Sequence, residues 1–330
     1  MSLFRMGSFV SAATMALLTT ACSNSALLPL SIGNQIETTY AAPAAYQSHR
    51  DQQRLFQSPD GHLAYTDHGT GPVLVLLHGV PTSSWMYRKI IPELQQDIRI
   101  ISIDHLGFGS SDKPDQETGY APADHARRAH ALLASLDIPE YSLLMHDMGG
   151  LVAWEMLRAD QDAVQNLIVL NTIVNDEGFT QPEMKPGTFT RRLMDAFSSP
   201  LTSVAVLTKT FSDLGLTDEH ELSEDECYGY VVPMREGADP ALYQFFTGIN
   251  SDLFTRLDEN RTRFADFTGQ TIVMWGAKDE TLTVDQVPIL QEMLNIPSEN
   301  IFIYDDNAHF LAEEIPDEII AKTKALLLEP

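Results

Sequence analysis

Six short apolar runs, at residues 73–78, 98–104, 141–146, 167–171, 271–275 and 301–304, alternate along the chain with stretches of helical periodicity. Continuous apolar runs of this length are strands covered on both faces. The amphipathic stretches at 121–136, 150–158 and 317–328 supply the cover. The pattern specifies an α/β fold, a mostly parallel central sheet flanked by helices. With 330 residues the chain can bury one large core and still carry an insertion. Residues 51–173 and 265–330 are assigned to the core. Residues 174–264 break the alternation, carry several Phe, Tyr and Met, and read as an inserted helical cap. Those side chains either roof a pocket or pack the insertion onto the core.

Composition narrows the function by exclusion. Against 21 Lys and Arg stand 46 Asp and Glu, a formal charge of -25, which repels nucleic-acid phosphates and anionic lipid surfaces. No nucleic-acid partner is expected. The first 22 residues combine a lone basic residue, Arg5, with an apolar run too short to span a bilayer and a small-residue end. This is the pattern of a bacterial export signal, which implies a periplasmic or membrane-anchored protein. Two readings of its end stand: lipid modification of Cys22, which follows Thr19, Thr20 and Ala21, or simple cleavage nearby. Residues 23–50 are polar and aperiodic, and read as a flexible tether. Only Cys22 and Cys227 are present, so loss or lipidation of Cys22 leaves no intramolecular disulfide.

The chemistry concentrates at the ends of the apolar runs. The segment YSLLMHDMGG at 141–150, followed by a helical pattern, is a strand, a tight turn and a helix with Asp147 at the apex. A carboxylate there is supported by the N–H groups and positive potential of the helix N-terminus. Asp is also a favoured helix N-cap, so by itself the position has a purely structural alternative. The loop after the run at 73–78 contains Gly79, and there the backbone N–H of Val80 can join that of Met148 as an oxyanion hole. Asp279 and His309 follow two later runs. In an open α/β sheet the carboxyl ends of the strands are where ligand sites collect, and the order acidic nucleophile, acid, His fits that edge.

Taken together, HGVPTSSW at 78–85, DHLGFGSSDKP at 104–114, HDMGG at 146–150, WGAKD at 275–279 and NAHFLAEEIP at 307–316 resemble the α/β-hydrolase superfamily, in its haloalkane dehalogenase and epoxide hydrolase branch. The resemblance runs from about residue 55 to the C-terminus and is weakest in the cap. It implies the α/β-hydrolase fold with Asp147 as nucleophile, His309 as base, Asp279 as its acidic partner, and Val80 and Met148 as backbone donors. The residue choice makes chemical sense. A carboxylate that attacks saturated carbon leaves an ester, which activated water cleaves, whereas serine would leave an ether. The implied partners are a small apolar organic substrate and water.

One departure from the family pattern bears on the substrate. Haloalkane dehalogenases typically carry Trp after the nucleophile and often Asn after the His-Gly pair, as donors to the departing halide; here those positions are Met148 and Val80, whose side chains donate nothing. Epoxide opening instead calls for an acidic hydroxyl, commonly a cap Tyr, and Tyr228, Tyr230 and Tyr243 are the candidates. Epoxide hydrolysis is therefore the leading expectation. Dehalogenation is the alternative, and a tethered non-catalytic binding protein is the alternative of another class. No Ser or Cys stands at the elbow for ordinary ester hydrolysis. No cofactor and no metal are expected: His125 and His130 do not share a helix face, and Gly107-Phe108-Gly109 lacks the Lys-Ser/Thr ending of a phosphate loop.

Overall fold

The computed structural model describes residues 42–329 apart from 116–118, 181–185, 200 and 218. The expected export signal, Cys22 and the first part of the expected tether lie outside the described residues. Among the described residues no helix is long and apolar enough to cross a membrane.

Eight strands form one sheet: β1 (Arg54–Ser58), β2 (Gly61–His68), β3 (Val73–Leu77), β4 (Arg99–Ile103), β5 (Tyr141–Asp147), β6 (Val164–Thr172), β7 (Gln270–Gly276) and β8 (Ile301–Tyr304). Their spatial order is β1-β2-β4-β3-β5-β6-β7-β8. Six strands, β3 to β8, pair in parallel and correspond to the six apolar runs. The hairpin β1–β2 adds an antiparallel edge on β4. Its sequence, RLFQSPDGHLAYTDH, mixes polar and apolar residues because an edge strand is only partly covered, so it carries no continuous apolar run.

The helices are α1 (Ala44–Asp51), α2 (Ile91–Leu94), α3 (Pro122–Ser135), α4 (Met148–Ala159), α5 (Phe189–Ser198), α6 (Val204–Gly215), α7 (Glu224–Arg235), α8 (Asp239–Gly248), α9 (Ser251–Asp258), α10 (Asn260–Arg263), α11 (Gln286–Leu294), α12 (Leu311–Glu314) and α13 (Pro316–Leu328). Helices α5 to α10 all fall between β6 and β7, where the sheet rhythm is interrupted. Several begin with a side-chain cap that the sequence supplies: Ser203 accepts from Val206 N, Asn250 from Leu253 N, and Ser223 forms a capping box with Glu226.

Residues 44–51 correct the tether assignment, because they form helix α1 and pack down. Tyr46 is only 3 % exposed, its ring edge-on to Trp85 at 5.4 Å and to Tyr228 at 5.6 Å. Arg50 pairs with Glu236 at 2.8 Å, and His49 Nε2 lies 3.1 Å from Ser84 Oγ. A single aromatic residue carries the burial, which is too little to register as an apolar stripe in AAYQSHRD.

Candidate active site

Strand β5 is buried throughout and delivers Asp147 with φ 51° and ψ -121°. Positive φ is costly for a residue with a Cβ, on the order of 1–3 kcal/mol, so the surroundings must hold it there. Thr172 Oγ1 donates to the Asp147 carbonyl at 2.6 Å. Two glycines allow the crowding. A Cβ on Gly149 would meet Leu77 O at 2.1 Å, and one on Gly79 would meet Asp147 Cβ at 2.4 Å. The turn therefore presses β3 and its loop against Asp147.

The two carboxylate oxygens of Asp147 have different surroundings. Oδ1 accepts from Val80 N at 2.8 Å, and the Met148 N–H also donates to the carboxylate. Oδ2 lies 3.8 Å from His309 Nε2. Burial pushes the Asp147 pKa above the usual carboxylate value, while His309 and the two N–H donors pull the other way. The Asp147 side chain makes no N-cap bond deeper into α4 than the Met148 N–H, and its Oδ2 faces the imidazole.

His309 is held from three sides. Its Nδ1 donates to Asp279 Oδ2 at 2.7 Å, its carbonyl accepts from His146 Nε2 at 2.9 Å, and the two imidazole rings sit 4.5 Å apart. Burial alone would lower the His309 pKa, but the charge and hydrogen bond of Asp279, with the charges of Asp147 and Glu314, more than offset it and raise it. Asp279 is held low despite its burial, because His309, Leu282 N and Asn171 favour its ionised form. Its Oδ1 accepts from Thr281 N and Leu282 N, both at 2.9 Å.

Asn171 was not singled out in the sequence. It donates to Asp279 Oδ2 at 2.8 Å, and its Oδ1 accepts from Gly276 N at 2.9 Å. The available signal was a polar residue closing an apolar run at the sheet edge where Asp147 and Asp279 also lie. The DHLGFGSS motif proves to be scaffolding. Asp104 accepts from Ser84 N at 2.7 Å, Ser110 N at 2.8 Å and Gln53 Nε2 at 2.8 Å, which ties β4 to the loop carrying Val80.

The cap tyrosines fall in three different settings. Tyr230 is buried, stacked on Phe211 at 4.5 Å, and its hydroxyl is committed to Glu313, beside Arg88. That commitment removes it as a proton donor at Asp147, a correction to the sequence expectation. Tyr228 packs on Tyr46, and Tyr243 is 39 % exposed. A cavity of about 280 Å³ opens where α8 and α9 meet the start of α3, bordered by Tyr120, Phe245 and Leu253. Leu151, one helical turn along α4 from Asp147, forms part of its wall.

Comparison with known proteins places this geometry. A family model described as alpha/beta hydrolase fold matches residues 72–316. The chain is 27 % identical over 301 residues to a cis-3-alkyl-4-alkyloxetan-2-one decarboxylase of Shewanella oneidensis, covering 84 % of this chain and 89 % of the relative. It is 28 % identical over 278 residues to haloalkane dehalogenase 2 of Mycobacterium bovis, covering 82 % and 93 %. With epoxide hydrolase 3 of Xenopus tropicalis it shares 25 % over 274 residues, covering 78 % and 72 %. A solved α/β-hydrolase-fold protein from Burkholderia ambifaria superposes with a TM-score of 0.65 at 23 % identity, over 82 % of this chain and 96 % of that one. With the sheet, the elbow and the family match in agreement, the chain belongs to the α/β-hydrolase family and is a hydrolase, with haloalkane dehalogenases and an epoxide hydrolase among its relatives.

Proposed function

We propose that the protein hydrolyses a small organic electrophile through an ester on Asp147, with an epoxide as the substrate class. The observation that carries this reading is the asymmetry of the Asp147 carboxylate, Oδ1 pinned by Val80 N at 2.8 Å and Oδ2 left facing His309. Oδ2 attacks a ring carbon, the carbon–oxygen bond of the epoxide opens, and the ring oxygen takes up a proton. Oδ1 is then the ester carbonyl oxygen, already accepting from Val80 N. His309 Nε2 removes a proton from water, the hydroxide adds to the Asp147 carboxyl carbon, and negative charge collects on Oδ1. Collapse expels the diol, whose leaving oxygen takes the proton from His309 Nε2, and the proton of the new carboxyl group returns to the hydroxyl that protonated the ring oxygen, leaving the carboxylate with one oxygen from water. Asp279 orients the imidazole and stabilises its charged form.

An epoxide fits better than a haloalkane because its leaving oxygen stays on the product and needs no separate anion cradle, and the side chains at Val80 and Met148 donate nothing to a halide. With Tyr230 committed to Glu313, Tyr228 and Tyr243 are the remaining cap hydroxyls for the ring oxygen. A second reading, a strained four-membered lactone, is favoured by the likeness to the oxetan-2-one decarboxylase. We further read residues 1–22 as an export signal with Cys22 as the lipid acceptor; labelling with radioactive palmitate that persists in Cys22→Ser would overturn the anchor.

The test of the activity is intact-protein mass spectrometry of His309→Gln after incubation with styrene oxide or 1-bromobutane, since loss of the base traps the ester. A gain of one whole styrene oxide, absent in the Asp147→Ala, His309→Gln double variant, is expected. A gain of a butyl group alone replaces the epoxide reading with dehalogenation. Labelling that survives Asp147→Ala sinks the nucleophile assignment.

A further inference from the structure

Immediately after His309 the chain carries two buried carboxylates, and one of them joins the base loop to the cap. Glu314 has a side chain fully shielded from solvent. Its Oε2 accepts from Ala308 N at 2.7 Å, at the residue before His309. Its Oε1 accepts from Thr217 N at 2.8 Å and Thr217 Oγ1 at 2.9 Å, just beyond the end of cap helix α6. Its oxygens accept three hydrogen bonds. The same two segments meet twice more. Phe310 N donates to Gly215 O at 2.9 Å, and the Phe310 ring stacks on Phe211 of α6 at 4.7 Å. The fit is close enough that a Cβ on Gly215 would meet the Phe310 ring at 2.0 Å.

All three donors to Glu314 are neutral. Three hydrogen bonds compensate the burial of the carboxylate without neutralising its charge. The charge has a use on the other side of the Ala308 peptide, at the imidazole. We infer that Glu314 is a positioning residue that registers the His309 loop against the end of cap helix α6 and supplies, after Asp279, a further negative charge that stabilises the imidazolium formed during ester hydrolysis. Placement of the cap and competence of the base are thereby coupled through one side chain. The second half of the inference rests on the hydrolytic reading of Asp147 and His309; the first half does not.

The groups facing His309 are Asp279 from the loop after β7, Asp147 from the elbow, His146 from β5, and Glu314. Facing Glu314 from the cap is His220, whose Nδ1 lies 3.7 Å from Oε1 and 3.0 Å from Thr217 Oγ1. Glu314→Gln keeps the size and a carbonyl acceptor but removes the charge, whereas Thr217→Val keeps the charge and removes one cap-side bond. The full-length protein, labelled at its histidine ring carbons, is titrated by NMR, and exchange of the Ala308 amide is followed in parallel. In Glu314→Gln the His309 midpoint is expected to fall below the wild-type value, the direction that follows from removing a negative charge that favours the imidazolium. In Thr217→Val the midpoint stays at the wild-type value and the Ala308 amide exchanges on the order of tenfold faster, equivalent to about 1.4 kcal/mol of lost local stability. An unchanged His309 midpoint in folded Glu314→Gln overturns the electrostatic role. Unchanged Ala308 exchange in Thr217→Val overturns the cap link, whether or not Glu314→Gln folds. Neither readout needs a substrate, so absence of any trapped ester would count against the proposed activity and against the role of Glu314 in ester hydrolysis, and would leave the link between the His309 loop and the cap standing.

Discussion

Asn171 Nδ2 donates at 2.8 Å to the same Asp279 oxygen, Oδ2, that receives the His309 Nδ1 hydrogen bond at 2.7 Å. Two donors from different strand ends converge on one oxygen, so the direction of the carboxylate, and with it the angle of the imidazole, depends on Asn171. A hydrogen bond to a charged group contributes about 1.5–3 kcal/mol. Asn171→Ala is therefore expected to slow hydrolysis of the ester roughly tenfold, while ester formation by Asp147 changes little. Single-turnover mass spectrometry with styrene oxide separates the two rates. Equal slowing of both would place Asn171 in general stability of the site instead.

The strained backbone at Asp147 makes a prediction about folding that is independent of activity. Both Asp147→Ala and Asp147→Gly remove the carboxylate, but only glycine takes φ 51° without penalty. The glycine variant should be the more stable of the two by about 1 kcal/mol in urea denaturation. Equal stabilities would show that the turn relaxes once the side chain is gone.

The pH dependence follows from the signs of two shifts. His309 is raised above its ordinary value of 6.5 by Asp279, Asp147 and Glu314 against its burial, and it must be neutral to act as base. Lowering the pH through its midpoint therefore removes the base, and ester hydrolysis falls tenfold per unit below it. In the ester Asp147 no longer carries charge, so the midpoint that governs hydrolysis lies below that of the free enzyme, with Asp279 and Glu314 still holding it up. Ester formation needs only ionised Asp147; burial raises its pKa, and the nearby imidazolium and the Val80 and Met148 N–H groups act against that rise. Wild-type protein quenched during turnover at pH 5 should then carry more adduct than at pH 8. Adduct that is equally scarce at both values would mean that ester formation limits the rate throughout.

Helix α1 makes the segment before the sheet part of the folded unit. Tyr46 fills the space between Trp85 of the core and Tyr228 of the cap, both met edge-on. Truncation of a buried aromatic costs about 3–5 kcal/mol where the site cannot collapse. Tyr46→Ala is expected to lower the Tm by several degrees and to expose the cap to limited proteolysis before the core. A shift of less than a degree would return these residues to the role of a tether.

The sequence by itself determined the parallel sheet and the three residues at its carboxyl edge. Continuous apolar runs reflect burial on both faces, and an acidic residue between a strand and a Gly-Gly helix start is local chemistry, legible without contacts. The β1–β2 hairpin escaped because edge strands are half exposed and their pattern dilutes; α1 escaped because one aromatic residue does its packing. Only the tertiary structure decided which polar groups converge. Asn171 reaches Asp279 across 108 positions of chain, and Glu314 reaches Thr217 across 97. It also committed the Tyr230 hydroxyl to Glu313, since a buried phenol needs a hydrogen-bond partner and that carboxylate supplies one. Such choices are pairings between distant segments, and a hydrogen bond between distant segments leaves no periodicity in the sequence that encodes it.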